Sequence, residues 1–133
     1  MDQEPLVIEE TEAGKKFLDE FDKSVPVLAA FWLKEGEDSG WYLYVASDQI
    51  TDRNIKVAYA EVGKVFKTIH DPNLDVLRVM LIGARHPFAR AALEVYRRYP
   101  DSRVPIRLRV HQFGGQSVEG VYLYPPRVGA MSK

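Results

Sequence analysis

Apolar residues recur at helical spacing in three stretches of the chain, and they alternate or run together in five others. Ala13, Phe17, Leu18 and Phe21 form a narrow stripe within residues 9–24. This predicts a first helix, with Glu9, Glu10 and Glu12 suiting its electropositive start and Pro26 ending it. Ile55, Tyr59, Val62, Phe66 and Ile69 mark a second helix, widened by Ala58 and Val65, with Lys56, Lys64 and Lys67 on the wet side. Thr51 or Asp52 is placed to cap it, and Gly63 within it reads as a point of close packing. Pro87 opens a third helix whose buried face is Phe88, Ala92, Val95 and Tyr96, and Pro100 closes it.

Strands are expected at 27–34, 41–47, 76–82, 106–113 and 121–124. The polar run 35–40 suits a hairpin loop between the first two. Residues 76–82 are apolar except for Arg78, which predicts a central strand buried on both faces. The resulting order, αββαβαββ, is that of one α/β (α+β) domain over 1–133. It implies a five-stranded mixed sheet with helices mainly on one face, and short flexible tails at 1–8 and 125–133. The simplest arrangement keeps the strands in sequence order with the second, third and fourth parallel. Two right-handed crossovers then put the second and third helices on the same face. A rearranged strand order is the alternative.

Alternation within the strands raises the first candidate site. Trp41, Leu43 and Val45 oppose Tyr42 and Tyr44; Ile106, Leu108 and Val110 oppose Arg107, Arg109 and His111; Val121 and Leu123 oppose Tyr122 and Tyr124. If the apolar sets all meet the helices, the other face is an open sheet of tyrosines, arginines and a histidine, joined by Arg78. Such a face suits a protein contact or homodimer, in which tyrosine and arginine are enriched. It also suits nucleic acid, whose bases stack on rings and whose phosphates pair with guanidinium groups. An ordinary wet sheet face has the same composition.

Charge sharpens this picture. Residues 1–75 carry 16 acids and 8 bases, while residues 76–133 carry 3 acids and 10 bases, nine of them arginine. The halves therefore differ by −8 against +7 around a net charge of −1. Either they neutralise each other in the fold or across a dimer, or the basic half binds an external anion. A second candidate lies at 83–90, where a strand passes to a helix. Gly83 permits close backbone approach, the helix start offers N–H groups, and Arg85, His86 and Arg90 add charge.

Catalytic signatures are absent: there is no GxSxG, HExxH, GxGxxG or GxxxxGK[ST] pattern. His70–Asp71 are neighbours at a helix end, and His111 with Glu119 across a hairpin is the remaining acid–base pairing. With no cysteine, thiolate chemistry and sulfur-ligated zinc are excluded, and the three histidines sit apart from any tight carboxylate cluster. No metal, cofactor or membrane partner is expected. The acidic N-terminus lacks the pattern of a secretory signal, so a cytoplasmic location is the default expectation. The leading reading is a non-catalytic, self-associating module that binds protein through its Tyr/Arg face. Polyanion or nucleic-acid binding by the basic half comes second, and an enzyme acting on an anionic small molecule at 83–90 third.

Overall fold

The computed structural model describes residues 5–127. Helix α1 (Ile8–Phe21) starts where Glu10 reaches back to accept the Val7 N–H at 3.2 Å, and it buries Ala13, Gly14, Phe17, Leu18 and Phe21. Leu6, within the expected tail, lies in the core at 5% exposure. The chain passes from it directly into α1, because Ile8 is already helical. Asp22 accepts the Val27 N–H at 2.7 Å and turns the chain into β1 (Ala29–Lys34). β2 (Trp41–Ser47) returns antiparallel, and α2 (Ile55–Ile69) carries the chain to β3 (Val79–Gly83), parallel to β2. α3 (Pro87–Arg98) follows, then β4 (Ile106–Leu108), β5 (Gln112–Phe113), β6 (Gln116–Ser117) and β7 (Gly120–Leu123).

The element order and mixed five-stranded sheet match the expectation, but the strand order is β3-β2-β1-β7-β4. β7 inserts between β1 and β4 and is antiparallel to both, so β4 runs opposite to β2 and β3. The expected parallel trio is thus a single parallel pair. α1 and α2 share one face of the sheet, while α3 lies on the other. Handedness fixes the α2 crossover because β2 and β3 are parallel. It does not govern α3, which links antiparallel strands at opposite edges.

Several local expectations shift with this arrangement. β3 is an edge strand rather than a central one; residues 76–78 form a 3-10 turn, and Met80 is partly exposed. Asn54 stands at the N-cap of α2, and its Oδ1 accepts the Thr51 N–H at 2.8 Å. Nothing lies within 4 Å of a Cβ built on Gly63, so this glycine marks no close packing. The expected strand 106–113 breaks after Leu108 and resumes as the small β5–β6 hairpin. That hairpin turns on Gly114 and Gly115, both at positive φ as a type I′ turn requires. Phe113 anchors it against Phe31 and Phe88, at ring distances of 5.4 and 6.0 Å.

Candidate functional site

The tyrosines and arginines expected on one open face are divided between two. Tyr44 pairs with Phe31 and Tyr122 with Trp32, and these successive residues of β1 point to opposite sides. Tyr42 and Tyr44 therefore stand on the α3 side. Tyr44 is buried, its ring stacked 5.5 Å from Phe31 and edge-on to Phe88. Its hydroxyl donates to Glu35 at 3.2 Å, and burial together with the Glu35 charge pushes its pKa up to about 12. Tyr42 is partly exposed beneath the Arg78 guanidinium, 5.6 Å from the ring, and Arg78 donates to the Trp41 carbonyl at 3.0 Å.

Tyr122, Tyr124, Arg107 and Arg109 belong to the α1/α2 side. Tyr124 is buried beneath α1, accepting from Trp32 Nε1 at 2.9 Å and donating to the Thr11 carbonyl at 2.6 Å. Desolvation raises its pKa, as it does that of Tyr96, which donates to the Tyr124 carbonyl at 2.8 Å. Both tyrosines hold the C-terminal strand in place and are closed to ligands. Arg107 lies 5.4 Å above the Tyr122 ring and donates to the Leu6 carbonyl at 3.4 Å.

Part of that side stays open at the end of the sheet away from the helices. There a cleft of about 380 Å³ is lined by Trp41, Arg107, Arg109, His111, Glu119 and Gly120, among others. Register explains the gathering. Trp41 pairs with Lys34 and Lys34 with Gly120, so Trp41 and Gly120 share a face across three strands. Gly120 carries no side chain because the indole lies on it: a Cβ there would stand 3.0 Å from Trp41 Cη2. Arg109 and His111 make no side-chain hydrogen bond or ion pair among the described residues. His111 and Glu119 share this cleft, as the hairpin pairing required, but no hydrogen bond joins them. Trp41 was not among the sequence candidates, because alternation grouped it with Leu43 and Val45. Only cross-strand pairing shows that this set is co-facial with Arg107 and Arg109.

The 83–90 junction is less open. A Cβ on Gly83 would stand 3.0 Å from the Ile50 carbonyl oxygen, so this glycine serves strand-to-loop packing. His86 caps α3 itself, its Nδ1 accepting the Phe88 N–H at 3.0 Å, and burial lowers its pKa and favours that neutral acceptor. One helix-start donor is thus satisfied within the chain. Arg85 is exposed, and Arg90 lines a separate groove with Arg97 and Gly114. Of the remaining sequence candidates, Asp71 bonds Lys16 and the Asn73 N–H, and His70 ends α2 in the left-handed region at φ 49°. They form no dyad. Among the described residues no group of three or more His, Asp or Glu is placed to hold a metal, and no helix is long and apolar enough to cross a membrane.

Within one chain, ion pairing runs mostly inside each charged half. The acidic half pairs with its own lysines: Lys15–Asp19, Lys16–Asp71, Lys23–Glu20 and Lys64–Glu61. Arg97 pairs with Glu94 in its own helix. Among the described residues only Arg127 joins the halves, reaching Asp19 and Asp22 on α1. Arg78, Arg85, Arg90, Arg98, Arg103, Arg107 and Arg109 meet no carboxylate within ion-pair distance there. Comparison of the chain with protein-family models, curated proteins and solved structures finds no match.

Proposed function

We propose that the protein binds a polyanion, nucleic acid being the type that fits best, through the arginine-lined end of its sheet. The carrying observation is the convergence of Arg107, Arg109 and His111 on one cleft, in a basic half that the acidic half leaves largely unpaired. Guanidinium groups without a carboxylate partner are suited to phosphate oxygens, which they meet with two parallel hydrogen bonds. Tyr44 and Tyr124 take no part as stacking platforms, since both are buried, and Tyr42 and Tyr122 lie under Arg78 and Arg107. Recognition by this surface is phosphate-led. Labelled single-stranded and duplex oligonucleotides should bind at low salt, with affinity falling linearly in log–log form as salt rises. Arg109→Glu should weaken binding about tenfold or more and reduce the salt slope by about one, with an unchanged circular dichroism spectrum. Failure of the wild-type protein to retard any probe at low salt overturns this reading.

A second reading rests on the other edge of the sheet. Val76, Leu77, Met80 and Tyr42 expose apolar surface along the β3 margin, Leu77 at 80%. Asp75 and the acidic loop 35–40 adjoin this strip, which makes a second copy of the chain, with its unneutralised arginines, the complementary occupant. Tyr59 already accepts the outward Leu81 N–H at 2.9 Å, so the contact runs through side chains rather than through an added strand. Light scattering should show a concentration-dependent mass above the monomer that Leu77→Ser returns to the monomer. A monomeric wild-type protein at high concentration removes this reading.

A further inference from the structure

A carboxylate in a phosphate-binding cleft needs a physical reason. Glu119 is the only acid among the residues lining the cleft, beside Arg107, Arg109 and His111. It makes no ion pair with any of them, although an arginine–carboxylate contact would be the default for two exposed groups so placed. Its backbone is held by β-type hydrogen bonds. The Glu119 N–H donates to the Lys34 carbonyl at 2.7 Å, and the neighbouring Val118 N–H donates to the His111 carbonyl at 2.9 Å. Gly120, next along the chain, is held beneath the Trp41 indole. Glu119 is thus set at the rim by the sheet, with its acceptor oxygens uncommitted.

For a ligand that offers only phosphate, this carboxylate is a pure cost, since like charges a few ångströms apart repel. It becomes favourable when the same ligand unit carries a hydroxyl or amino donor beside its phosphate. In a nucleic acid the donor nearest the phosphate is the ribose 2′-hydroxyl, whereas the base amines lie at the far end of the nucleotide. DNA lacks that hydroxyl. A cleft of about 380 Å³ is of the size that takes a small organic ligand.

Resting on the polyanion reading above, we propose that this cleft takes one ribonucleotide unit of an RNA strand. Arg109 and Arg107 hold the phosphate, and the 2′-hydroxyl donates to Glu119. The protein therefore discriminates RNA from DNA at this position.

The test uses RNA, DNA and 2′-O-methyl RNA strands of one sequence, with adenosine and deoxyadenosine monophosphate as free-nucleotide arms. Wild-type protein should prefer RNA to both other strands by about tenfold, the ratio that one well-placed hydrogen bond supports. Glu119→Ala should abolish that preference by weakening RNA alone, leaving DNA equal or slightly tighter. The side chain of Glu119 is exposed and makes no hydrogen bond or ion pair among the described residues, so the variant should fold. Equal wild-type affinity for RNA and DNA overturns the inference, as does equal tightening of both strands by Glu119→Ala, which marks a merely repulsive carboxylate. Adenosine monophosphate binding as tightly as the RNA strand overturns the assignment to a strand. If both strands bind equally but remain sensitive to Arg109→Glu, this inference fails and the polyanion reading stands. If neither strand binds at all, both fail.

Discussion

Removing one oxygen from Tyr124 should destabilise the protein by about 2–4 kcal/mol, even though the ring is kept. In the native fold the hydroxyl accepts the Trp32 indole N–H and donates to the Thr11 carbonyl of α1. Tyr124→Phe leaves the indole N–H buried and unpaired, because Trp32 is 1% exposed. An unsatisfied buried donor costs about 1–3 kcal/mol, and loss of the bond to Thr11 adds about 1. The contrast with the native chain is sharp, since no buried polar side-chain atom among the described residues lacks a hydrogen bond. Urea denaturation measures the effect as a lower midpoint at unchanged slope. Tyr96→Phe provides a comparison, since it removes one donor to the Tyr124 carbonyl and should cost less. A change below about 0.5 kcal/mol in Tyr124→Phe would show that the hydroxyl contributes no net stability.

The second large effect concerns two helical glycines, for which the same substitution should give opposite signs. Alanine exceeds glycine in helix propensity by about 1 kcal/mol at an interior position. At Gly63 in α2 nothing lies within 4 Å of the added Cβ, so Gly63→Ala should stabilise by about 0.5–1 kcal/mol. At Gly14 in α1 the added Cβ collides with Tyr124 Oη and comes within 3.3 Å of the Trp32 ring. Both rings are fixed by the hydrogen bond between them, so neither can yield without breaking it. Overpacking of this kind costs about 1–3 kcal/mol before the lost hydrogen bonds are added. The clash outweighs the propensity gain, and Gly14→Ala should destabilise by about 1–3 kcal/mol net. Measuring the two variants side by side cancels the propensity term. Stabilisation by both would mean that α1 does not approach Trp32 as closely as the structure has it.

These two glycines also show how far the sequence could be read. The chain alone singled out Gly63, because a glycine among strong helix formers invites a packing explanation, and it passed over Gly14. Yet α1 lies against Trp32 and Tyr124 at Gly14, while Gly63 faces open space. Helix propensity is a local quantity, whereas close approach depends on partners 18 and 110 residues away along the chain. The same limit explains the candidate site. Alternation grouped Arg107 with Arg109, and Tyr122 with Tyr124, and the structure has Arg107 and Arg109 on one cleft and both tyrosines in one core cluster. The pattern itself had no information on which strands' sets share a face, and so it joined Tyr42 and Tyr44 to residues on the opposite side of the sheet.

What the sequence by itself determined follows from short-range physics. Hydrophobic periodicity marked three helices and the principal strands. The charge count located an arginine-rich half. Periodicity operates within a few residues, so it survives without knowledge of the fold. Only the tertiary structure decided that β7 inserts between β1 and β4 and that α3 crosses to the far face. It alone showed that both sheet faces are largely covered and that Arg127 makes the one ion-pair bridge between the charged halves among the described residues. Those outcomes depend on which apolar surfaces are buried against each other, a choice made among distant segments by the total area removed from water. The face of tyrosines and arginines read from the sequence is thereby reduced to one cleft, and Trp41 and Glu119 join Arg107, Arg109 and His111 there because strand register brings them together.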